Sequence, residues 1–599
     1  MLIPLGLTLI VTTTGLLLII LLARAAWRHR GPPAPVSTSQ PGHTIGAPTS
    51  QSQTAKPQPL QPDDFGPRAT NRWLLGLRSM LLTLIVAVLA MHCYWVLYAG
   101  SDPRSNFSQA RRLDSRSIRL TESGLKGWVL DRSGKLDNAL VRYRSDGGII
   151  SRDYPLGAAA VHLTGYSDYV FGSGGLEFAL RKWLTEPLST VNALVSPVPV
   201  GKDVIVSIDG SLQRESYNLL HSTGKPAAAV VLLLPSNEVL AMASTPSFDP
   251  LSINQEDAWR EMAAQAEDSP ELSPLVNRAL GTLVTGGRAL YYRPGSTFKV
   301  FTAAVAIESG ETGNKFTCRG DGFTPPGSHT PIRDFEGEVH GTIGFQDAFR
   351  VSCNQYFAQL GLKLGKERLS QYARRLGFAF QPDDGRLRAT DLWQTLHGDA
   401  TDFNFIFAPP ISRMNLSRDA SNYDVALESF GQGYDDMTVF KMALIASAAA
   451  NPDGTLIAPT LEVGATPKSL GQFVSAQSAA QLRNLMHLVV QSGTAASAFS
   501  RLGARVSASG KTGTADRDVP VYNSDGDKVV DFVDKNGVEH YKTTRWTDGW
   551  FIGFAPADNP QIAFAVMVEN GGQGARSAAP IAVKLIEKAM ALGYVRPGH

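Results

Sequence analysis

Two long stretches without a charged side chain lie within the first 101 residues of this 599-residue chain. The first, 1–23, would measure roughly 35 Å as a helix, since each residue adds about 1.5 Å, and this is enough to cross a bilayer. The second, 79–101, carries Trp95 and Tyr98 toward its end, where interfacial anchors are common. We therefore predict two transmembrane helices near the amino terminus and a large folded part from residue 102 onward.

The segment between these stretches, 24–78, is rich in Pro, Ser, Thr and Gln and is too polar to fold alone. Its seven Lys and Arg side chains favour the cytoplasmic side of a membrane, although five arginines also follow the second stretch, at 104–119. The distribution of Lys and Arg therefore gives only weak support to an orientation in which the carboxy-terminal part faces outward. The first stretch has no basic segment before it, which favours a retained helix over a cleaved signal peptide.

Composition excludes several classes of protein. The 56 basic and 54 acidic side chains give a net charge of +2, whereas a dedicated nucleic-acid binder carries a strong basic excess, so no nucleic-acid partner is expected. Three cysteines are too few for a disulfide scaffold or a zinc ribbon. The patterns HExxH and GxSxG do not occur, which excludes zincin proteases and nucleophile-elbow hydrolases.

Hydrophobic patterning after residue 102 predicts a sheet with helices on its faces. Short apolar runs rich in β-branched residues predict buried strands, and apolar residues at helical spacing predict helices. The predicted strands are 204–208, 228–234 and 562–568, and the predicted helices are 296–307, 438–450 and 579–592. Gly310 is expected to stop the first of these helices.

The first of three short motifs is an SxxK pattern made by Ser296 and Lys299. On a helix, these two side chains stand one turn apart on the same face. A serine hydroxyl becomes a nucleophile when a base lies close by, and a lysine serves as that base once burial or a second cation lowers its pKa. The same pattern at 123–126 and 222–225 contains glycine, and Pro226 follows the latter, so we interpret both as surface accidents.

The second motif is an SxN pattern in which Ser352 and Asn354 flank Cys353. The two outer side chains can point the same way, offering a hydroxyl to relay a proton and an amide to hold a peptide carbonyl. Taken alone this pattern is weak, because 216–218 and 252–254 match it equally well.

The third motif is Lys511-Thr512-Gly513, followed by Thr514, and the KTG triplet occurs once in the chain. On an edge strand it offers a cation and hydroxyls to a substrate carboxylate, while the glycine leaves room for a neighbouring backbone. The alternative is the tail of a nucleotide-binding loop, since a Ser-Gly pair precedes the lysine. That loop requires glycine where the chain has Arg505, so the nucleotide interpretation is disfavoured.

SxxK, SxN and KTG in this order are the signature of the serine acyltransferases that include β-lactamases and penicillin-binding proteins, which the chain therefore resembles. The likeness extends to a Gly-Gln-Gly at 431–433, to the run 548–554, and to an Asp-Arg-Ser-Gly box within 126–134 that resembles the opening of class B members. It covers roughly residues 120–595. The region between the second predicted span and residue 200 is too short for a glycan-polymerising domain as well as a pedestal, so the resemblance is to a monofunctional class B protein.

The resemblance implies an α/β (α+β) fold with an antiparallel sheet flanked by helices, an all-helical subdomain and a small amino-terminal pedestal. The expected domains are a transmembrane helix (1–23), a cytoplasmic linker (24–78), a second transmembrane helix (79–101), a pedestal (102–200) and a transpeptidase domain (201–599). The segment 516–547 is longer than usual and carries turn signals. It is expected to form either an extra hairpin at the cleft rim or a tolerated surface insertion.

The resemblance also implies a role for each residue of the first two motifs. Ser296 is the expected nucleophile, and Lys299 is the expected general base. Ser352 would relay a proton to the leaving amine. Asn354 would hold the substrate amide while it touches Lys299.

The third motif is expected to bind the terminal carboxylate of the substrate through Lys511, Thr512, Gly513 and Thr514. The backbone N–H groups of Ser296 and Thr514 would form the oxyanion hole. Neither a metal ion nor an organic cofactor is implied.

The implied function is that of a membrane-anchored peptidoglycan D,D-transpeptidase, which cross-links stem peptides through a serine acyl-enzyme and is acylated by β-lactams. The implied partners are a stem peptide or lipid-linked precursor, β-lactam antibiotics, a SEDS-family glycan polymerase and the membrane. Stem peptides lie outside the bacterial cytoplasmic membrane, so the part after residue 101 is expected to face outside or the periplasm. Cys318 and Cys353 would then share an oxidising compartment, which leaves a disulfide and two buried thiols equally open.

Other functions remain open beside this one. In a D,D-carboxypeptidase, water instead of an amine attacks the acyl-enzyme, and the sequence does not separate the two activities. A β-lactam sensor would couple to a zinc protease, and a non-catalytic scaffold would have lost motif residues that this chain retains. A hydrolytic β-lactamase is disfavoured by the pedestal and the predicted membrane helices.

Overall fold

The chain divides into two compact units, Met1–Leu97 and Tyr98–His599. The structure is a computed structural model, and it describes residues 67–93, 125–146, 149–168, 171–185, 201–285, 290–380, 412–417, 419–433, 436–502, 505–523, 527–535 and 538–596.

In the first unit, the described residues form one long helix, α1 (Pro67–Cys93). Across 67–93 and the described part of the second unit, no helix is both long and apolar enough to cross a membrane. The predicted span 1–23 and most of the predicted linker 24–78 lie outside the described residues, as does the end of the predicted span 79–101. The two predicted transmembrane helices are therefore not confirmed.

The helices of the second unit lie mainly between 210 and 591. They are α2 (Val161–Thr164), α3 (Gly175–Ala179), α4 (Arg181–Leu184), α5 (Gly210–His221), α6 (Glu256–Asp268), α7 (Lys299–Glu308), α8 (Phe345–Val351), α9 (Asn354–Leu364), α10 (Lys366–Arg375), α11 (Asn422–Glu428), α12 (Val439–Ala450), α13 (Ala476–Ser492), α14 (Ala496–Phe499) and α15 (Ala578–Ala591).

The strands of the second unit are mostly short. They are β1 (Val129–Leu130), β2 (Ala139–Asp146), β3 (Ile149–Asp153), β4 (Ser167–Asp168), β5 (Gly172–Ser173), β6 (Val204–Ile205), β7 (Ala227–Leu233), β8 (Glu238–Thr245), β9 (Val276–Asn277), β10 (Thr282–Leu283), β11 (Lys315–Cys318), β12 (Gly341–Gly344), β13 (Ala379–Phe380), β14 (Arg413–Met414), β15 (Thr455–Ile457), β16 (Ser469–Gln472), β17 (Ser509–Pro520), β18 (Val530–Val533), β19 (Glu539–Tyr541), β20 (Thr543–Ala555) and β21 (Ile562–Val568).

A five-stranded sheet forms the centre of the second unit, in the order β17-β20-β21-β7-β8, and all its pairings are antiparallel. Strands β7 and β21 are apolar at every position because both faces of the sheet are covered. Helix α12, whose residues are all buried, packs on β7, β20 and β21, while α5 and α15 contact each other and cover further strand surface. The predicted antiparallel sheet flanked by helices is therefore confirmed.

A second sheet, in the order β3-β2-β1-β6, lies in the region predicted to be the pedestal. Its strand β1 lies directly before the Asp-Arg-Ser-Gly box at 131–134 and pairs in parallel with β6, at Val129↔Val204 and Leu130↔Ile205. Strand β6 lies after residue 200 and pairs with β1 of this sheet, which lies before it. The boundary between pedestal and transpeptidase domain at residue 200 remains a prediction.

The predicted elements agree closely with the structure. The strands predicted at 228–234 and 562–568 are β7 and β21, and the helices predicted at 438–450 and 579–592 are α12 and α15. The strand predicted at 204–208 is shorter, since only Val204–Ile205 pair. Within 516–547, strands β18 and β19 form a hairpin that continues the long β17–β20 pair, as the first of the two alternatives predicts, while a position at the cleft rim remains a prediction.

Candidate active site

Ser296 lies in a short 3-10 helix, Gly295–Phe298, which leads directly into helix α7. Gly295 has a φ of 53°, and a Cβ built on it would lie 2.4 Å from the carbonyl oxygen of Thr514. Only glycine tolerates both this backbone conformation and this close approach. The turn therefore holds the backbone next to Ser296 directly against strand β17.

Lys299, the first residue of α7, is fully buried beside Ser296. Its Nζ lies 3.0 Å from Ser296 Oγ, 3.2 Å from Ser352 Oγ and 2.7 Å from Asn354 Oδ1. It also donates to the carbonyl oxygen of Ser352, at 2.5 Å. One amine thus connects the SxxK motif with both outer residues of the SxN motif.

Burial lowers the pKa of the Lys299 amine to about 8, and the nearby Cys353 and Asp334 side chains oppose this shift. A lysine with a pKa near 8 is neutral in an appreciable fraction of molecules at neutral pH. A neutral amine 3.0 Å from the Ser296 hydroxyl can accept its proton.

Ser352 is the C-cap residue of α8, and its backbone is in the left-handed region, at φ 65° and ψ 36°. Asn354 is the first residue of α9. A non-glycine residue in this region is strained by about 1–3 kcal/mol, and such strain is common at functional sites. The Asn354 backbone N–H donates to the Asp334 carboxylate, and the Asn354 side-chain amide donates to the Arg333 carbonyl. These contacts fix the tight turn, so that the side chains of Ser352 and Asn354 both face the Lys299 amine.

The KTG motif lies on strand β17 at the edge of the central sheet, as predicted. Lys511 Nζ donates to Ser352 Oγ at 2.8 Å, so this hydroxyl lies between two lysines. Burial lowers the pKa of Lys511 well below its ordinary value, and the charge of Lys299 lowers it further. A Cβ on Gly513 would lie 2.8 Å from Thr297 Cγ2, which explains why glycine is needed there.

The three motifs meet at one cleft with a volume of about 580 Å³. Its lining contains the predicted residues Ser296, Ser352, Asn354, Thr512, Gly513 and Thr514. Lys299 and Lys511 are buried behind this lining and reach it through their amines. The structure therefore brings every predicted site residue together.

Sequence reasoning assigned no role to several other residues that line the cleft. Thr494 Oγ1 lies 2.6 Å from Thr512 Oγ1, and Gln432 Nε2 donates to the Thr514 carbonyl at 2.9 Å. Gln432 belongs to the Gly-Gln-Gly run at 431–433, and this run is the sequence signal that points to it. Thr494 follows the end of α13 in no recognisable motif, and its position depends on the packing of α13 against β17.

The other matches to the motifs lie elsewhere. Ser222 caps the exposed end of α5, and Lys225 reaches the Asn570 carbonyl on the surface. The SxN match at 216–218 lies within α5, and the one at 252–254 lies in a 3-10 helix. None of these residues lines the cleft, in agreement with their interpretation as accidents. In the match at 123–126, Ser123 lies outside the described residues, and the prediction of a surface position is wrong for Lys126, which is buried beside Glu177.

Cys318 and Cys353 are free, buried thiols in the structure. Of the two states that the sequence left open, the structure therefore has the thiols and not the disulfide. Together with Asp334 and His340, they form the group of side chains in the described part of the chain that could hold a metal ion.

Comparison with known families gives a match over most of the second unit. Residues 227–587, which are more than half of the chain, match the family described as "Penicillin binding protein transpeptidase domain". The matched range contains all three motifs.

Curated relatives are similar over most of their length. The chain is 28% identical to the peptidoglycan D,D-transpeptidase PbpA of Mycolicibacterium smegmatis over 549 residues, which cover 86% of this chain and 98% of the relative. It is 30% identical to the peptidoglycan D,D-transpeptidase PbpA of Mycobacterium tuberculosis over 421 residues, which cover 65% of this chain and 73% of the relative.

Solved structures with the same fold include acyl-enzymes. The penicillin G acyl-enzyme complex of penicillin-binding protein A from M. tuberculosis is 25% identical, with a TM-score of 0.59, and the match covers 78% of this chain and all of that one. The D,D-transpeptidase domain of a peptidoglycan glycosyltransferase from Eggerthella lenta is also 25% identical, with a TM-score of 0.59, over 79% of this chain and 99% of that one.

Proposed function

Because the chain belongs to the penicillin-binding protein transpeptidase family, as a class B member, we propose that it cross-links peptidoglycan stem peptides through an acyl-enzyme on Ser296. The observation that carries this proposal is the position of the Lys299 amine, 3.0 Å from the Ser296 hydroxyl and within reach of Ser352 and Asn354. A base, a nucleophile and a proton relay are thus assembled before substrate arrives.

In the acylation step, Ser296 Oγ attacks the carbonyl carbon of the penultimate D-alanine. The hydroxyl proton passes to the neutral amine of Lys299, and an ester bond forms as the peptide C–N bond breaks. Ser352 Oγ, which lies between Lys299 and Lys511, passes a proton to the leaving D-alanine amine. A β-lactam would acylate Ser296 in the same way, with its ring nitrogen as the leaving group.

The backbone N–H groups of Ser296 and Thr514 donate to the carbonyl oxygen and stabilise the negative charge that develops on it. The close contact of Gly295 with Thr514 supports this placement, because it holds the two backbone segments together. Loss of one such donor costs on the order of 10²–10³ in rate. Lys511, Thr512 and Thr514 receive the terminal carboxylate of the donor peptide at the same strand.

In the second step, the amine of another stem peptide attacks the ester, forms the cross-linking peptide bond and releases Ser296. Attack by water would instead yield a trimmed peptide, which is the D,D-carboxypeptidase alternative. Both reactions use the same acyl-enzyme, so the nature of the acceptor distinguishes them.

In the proposed function, the transpeptidase domain lies outside the cytoplasmic membrane and is anchored through the apolar stretches 1–23 and 79–101. The location of stem peptides and the absence of charge in both stretches support this placement. A SEDS-family glycan polymerase is the proposed partner that supplies new strands. A membrane-impermeant biotinylated penicillin should label the protein equally in intact spheroplasts and lysed membranes, and labelling only after lysis would contradict the orientation.

The activity is tested by incubating the purified full chain with a pentapeptide donor and an amine-bearing acceptor, followed by mass analysis of products. We expect a cross-linked dimer and free D-alanine from the wild type and from Ser222→Ala, the surface serine with the same motif spacing. Ser296→Ala should give neither product. A trimmed tetrapeptide without dimer would favour the carboxypeptidase, and dimer from Ser296→Ala would contradict the proposal.

A further inference from the structure

The hydroxyl group of Thr494 lies beside the KTG strand, at the wall of the cleft where the terminal carboxylate of the donor peptide is expected. Its Oγ1 lies 2.6 Å from Thr512 Oγ1, and both residues line the cleft. We propose that Thr494 is a positioning residue, which turns the Thr512 hydroxyl toward the carboxylate and so selects ligands that carry this group. This inference rests on the proposed function, because it assigns a specificity-determining residue to the same site.

The Lys511 amine cannot satisfy a carboxylate at this wall by itself. Lys511 is fully buried, and its Nζ already donates to Ser352 Oγ at 2.8 Å and to the Thr512 carbonyl at 3.0 Å. An ammonium group has three N–H donors, so only one is left for a substrate. A carboxylate presents about four acceptor positions, so hydroxyl groups beside Lys511 are needed as further donors.

The direction of the hydrogen bond between the two threonines decides whether Thr512 can be such a donor. Each hydroxyl carries one proton, so the hydroxyl that accepts in the pair keeps its own proton for a third group. Thr512 can therefore donate to a carboxylate, while it stays bonded to Thr494, only if Thr494 donates to Thr512. A chain of hydroxyl groups that all donate toward an anion is also strengthened by mutual polarisation.

The turn that carries Thr494 is held firmly in place. Arg350, in the last turn of α8, donates from Nη1 to the Ser492 carbonyl at 3.0 Å. A Cβ built on Gly493 would lie 2.6 Å from the Arg350 carbonyl oxygen, so the turn lies directly against the end of α8. Helix α13, which precedes the turn, packs on both α8 and β17. The Thr494 hydroxyl is thus fixed relative to the SxN turn and to the KTG strand.

A second pair of threonine hydroxyls has the same chemistry away from the cleft. Thr317 Oγ1 and Thr342 Oγ1 lie 2.8 Å apart on the exposed surface of the β11–β12 hairpin. Neither residue lines the cleft. Loss of a hydroxyl from this pair therefore provides the matched control for loss of the Thr494 hydroxyl.

The test compares penicillin G with its methyl ester, in which a neutral ester replaces the carboxylate. Intact-mass analysis of the purified full chain gives the second-order rate constant for acylation by each compound. We expect Thr494→Val to lower the rate constant for penicillin G about tenfold and to leave that for the methyl ester within about twofold, since hydrogen bonds to charged groups are the stronger ones. Thr494→Ser keeps the hydroxyl and should restore most of the rate, and Thr317→Val should change neither rate constant.

A double-mutant cycle tests whether Thr494 acts through Thr512. In a Thr512→Val background, Thr494→Val should cause no further loss with penicillin G, because the hydroxyl that it positions is gone. Losses that multiply in the double variant would overturn the positioning role. Melting temperatures show whether each variant is folded, and Thr494→Ala takes the place of Thr494→Val in both measurements if the latter is not.

A merely structural role of Thr494 predicts a different result from positioning. It would lower acylation by penicillin G and by its methyl ester to the same extent, and this outcome would overturn the inference. A Thr494→Val variant that is acylated by penicillin G as fast as the wild type would overturn it as well, while the proposed function would stand. A wild type that forms no adduct on Ser296 would contradict the proposed function, and this inference with it.

Discussion

At the level of single residues, the protonation state of Lys299 controls the acylation rate in this account. Its pKa of about 8 results from burial, and only the neutral amine accepts the Ser296 proton. Below pH 8 the neutral fraction falls about tenfold per pH unit. The second-order rate constant for acylation by penicillin should therefore rise steeply from pH 6 to pH 8 and level off above.

Lys441 provides the matched control for this pH profile. It is another buried lysine whose pKa burial lowers, to about 7, but its amine donates to the Leu376 carbonyl and not to a cleft residue. Lys441→Met should leave the profile unchanged. A rate that is independent of pH between 6 and 9, or a profile that Lys441→Met displaces, would assign the base to another group.

A second prediction at this level concerns the turn before Ser296. Gly295→Ala places a methyl group 2.4 Å from the Thr514 carbonyl oxygen, so strand β17 must move away. A displacement of this kind costs on the order of 100-fold in rate. Gly310→Ala has the same positive φ but no atom within 4 Å, so it should cost about 1–2 kcal/mol in stability and leave acylation unchanged. Equal acylation rates in the two variants would contradict the close contact.

Between the elements, a buried ion network links the strands of the sheet to the segment before Ser296. Glu569 accepts from Arg278 Nε at 2.7 Å and from the Tyr292 hydroxyl at 2.9 Å, and its other oxygen accepts from Arg517. Arg517 also donates to Asp548 on the paired strand β20. Tyr292 precedes the nucleophile's turn, so the network helps to position that turn against β17.

Removing the charge of Glu569 should therefore lower the free energy of unfolding strongly. Glu569→Gln leaves two buried guanidinium groups with too little countercharge, and breaking such a pair costs about 3–5 kcal/mol. Glu587→Gln removes a carboxylate that pairs with the exposed Arg505 and should cost no more than about 1 kcal/mol. The free energy of unfolding measured by denaturant titration checks both values, and similar losses would contradict a central role of Glu569.

The extra hairpin gives another prediction at the element level. Its side chains Val530, Phe532 and Val533 are largely exposed, and the strands that carry it already pair at Pro520 and Thr543. Replacing 521–542 by an Asn-Gly turn should preserve the fold and keep penicillin acylation within about twofold, since this turn suits a two-residue hairpin. A large loss of acylation would show that the hairpin supports the cleft.

The parts of the fold that the sequence predicts well are those with strong local signals. Strands β7 and β21 are continuous apolar runs, and Thr438 precedes α12 as its N-cap, with its side chain accepting the backbone N–H of Lys441. The SxxK, SxN and KTG motifs are equally local, which is why each of their residues could be named before the structure. Register, by contrast, depends on pairing between distant strands and has no such local signal.

What the sequence does not predict depends on contacts between distant segments. Thr494 reaches Thr512 only because α13 packs on β17. The group of Cys318, Asp334 and His340 beside Cys353 arises from the β11–β12 register and the turn before α9. No local sequence pattern indicates either arrangement, so both are seen only in the three-dimensional structure.

For the whole molecule, the proposed function requires that one serine among several with the same motif spacing forms the acyl-enzyme. Intact-mass analysis of the full chain treated with penicillin G, followed by peptide mapping, identifies that serine. We expect one adduct per chain, located on the peptide that contains Ser296, retained in Ser222→Ala and lost in Ser296→Ala. An adduct that survives Ser296→Ala, or one that maps to another serine, would contradict it.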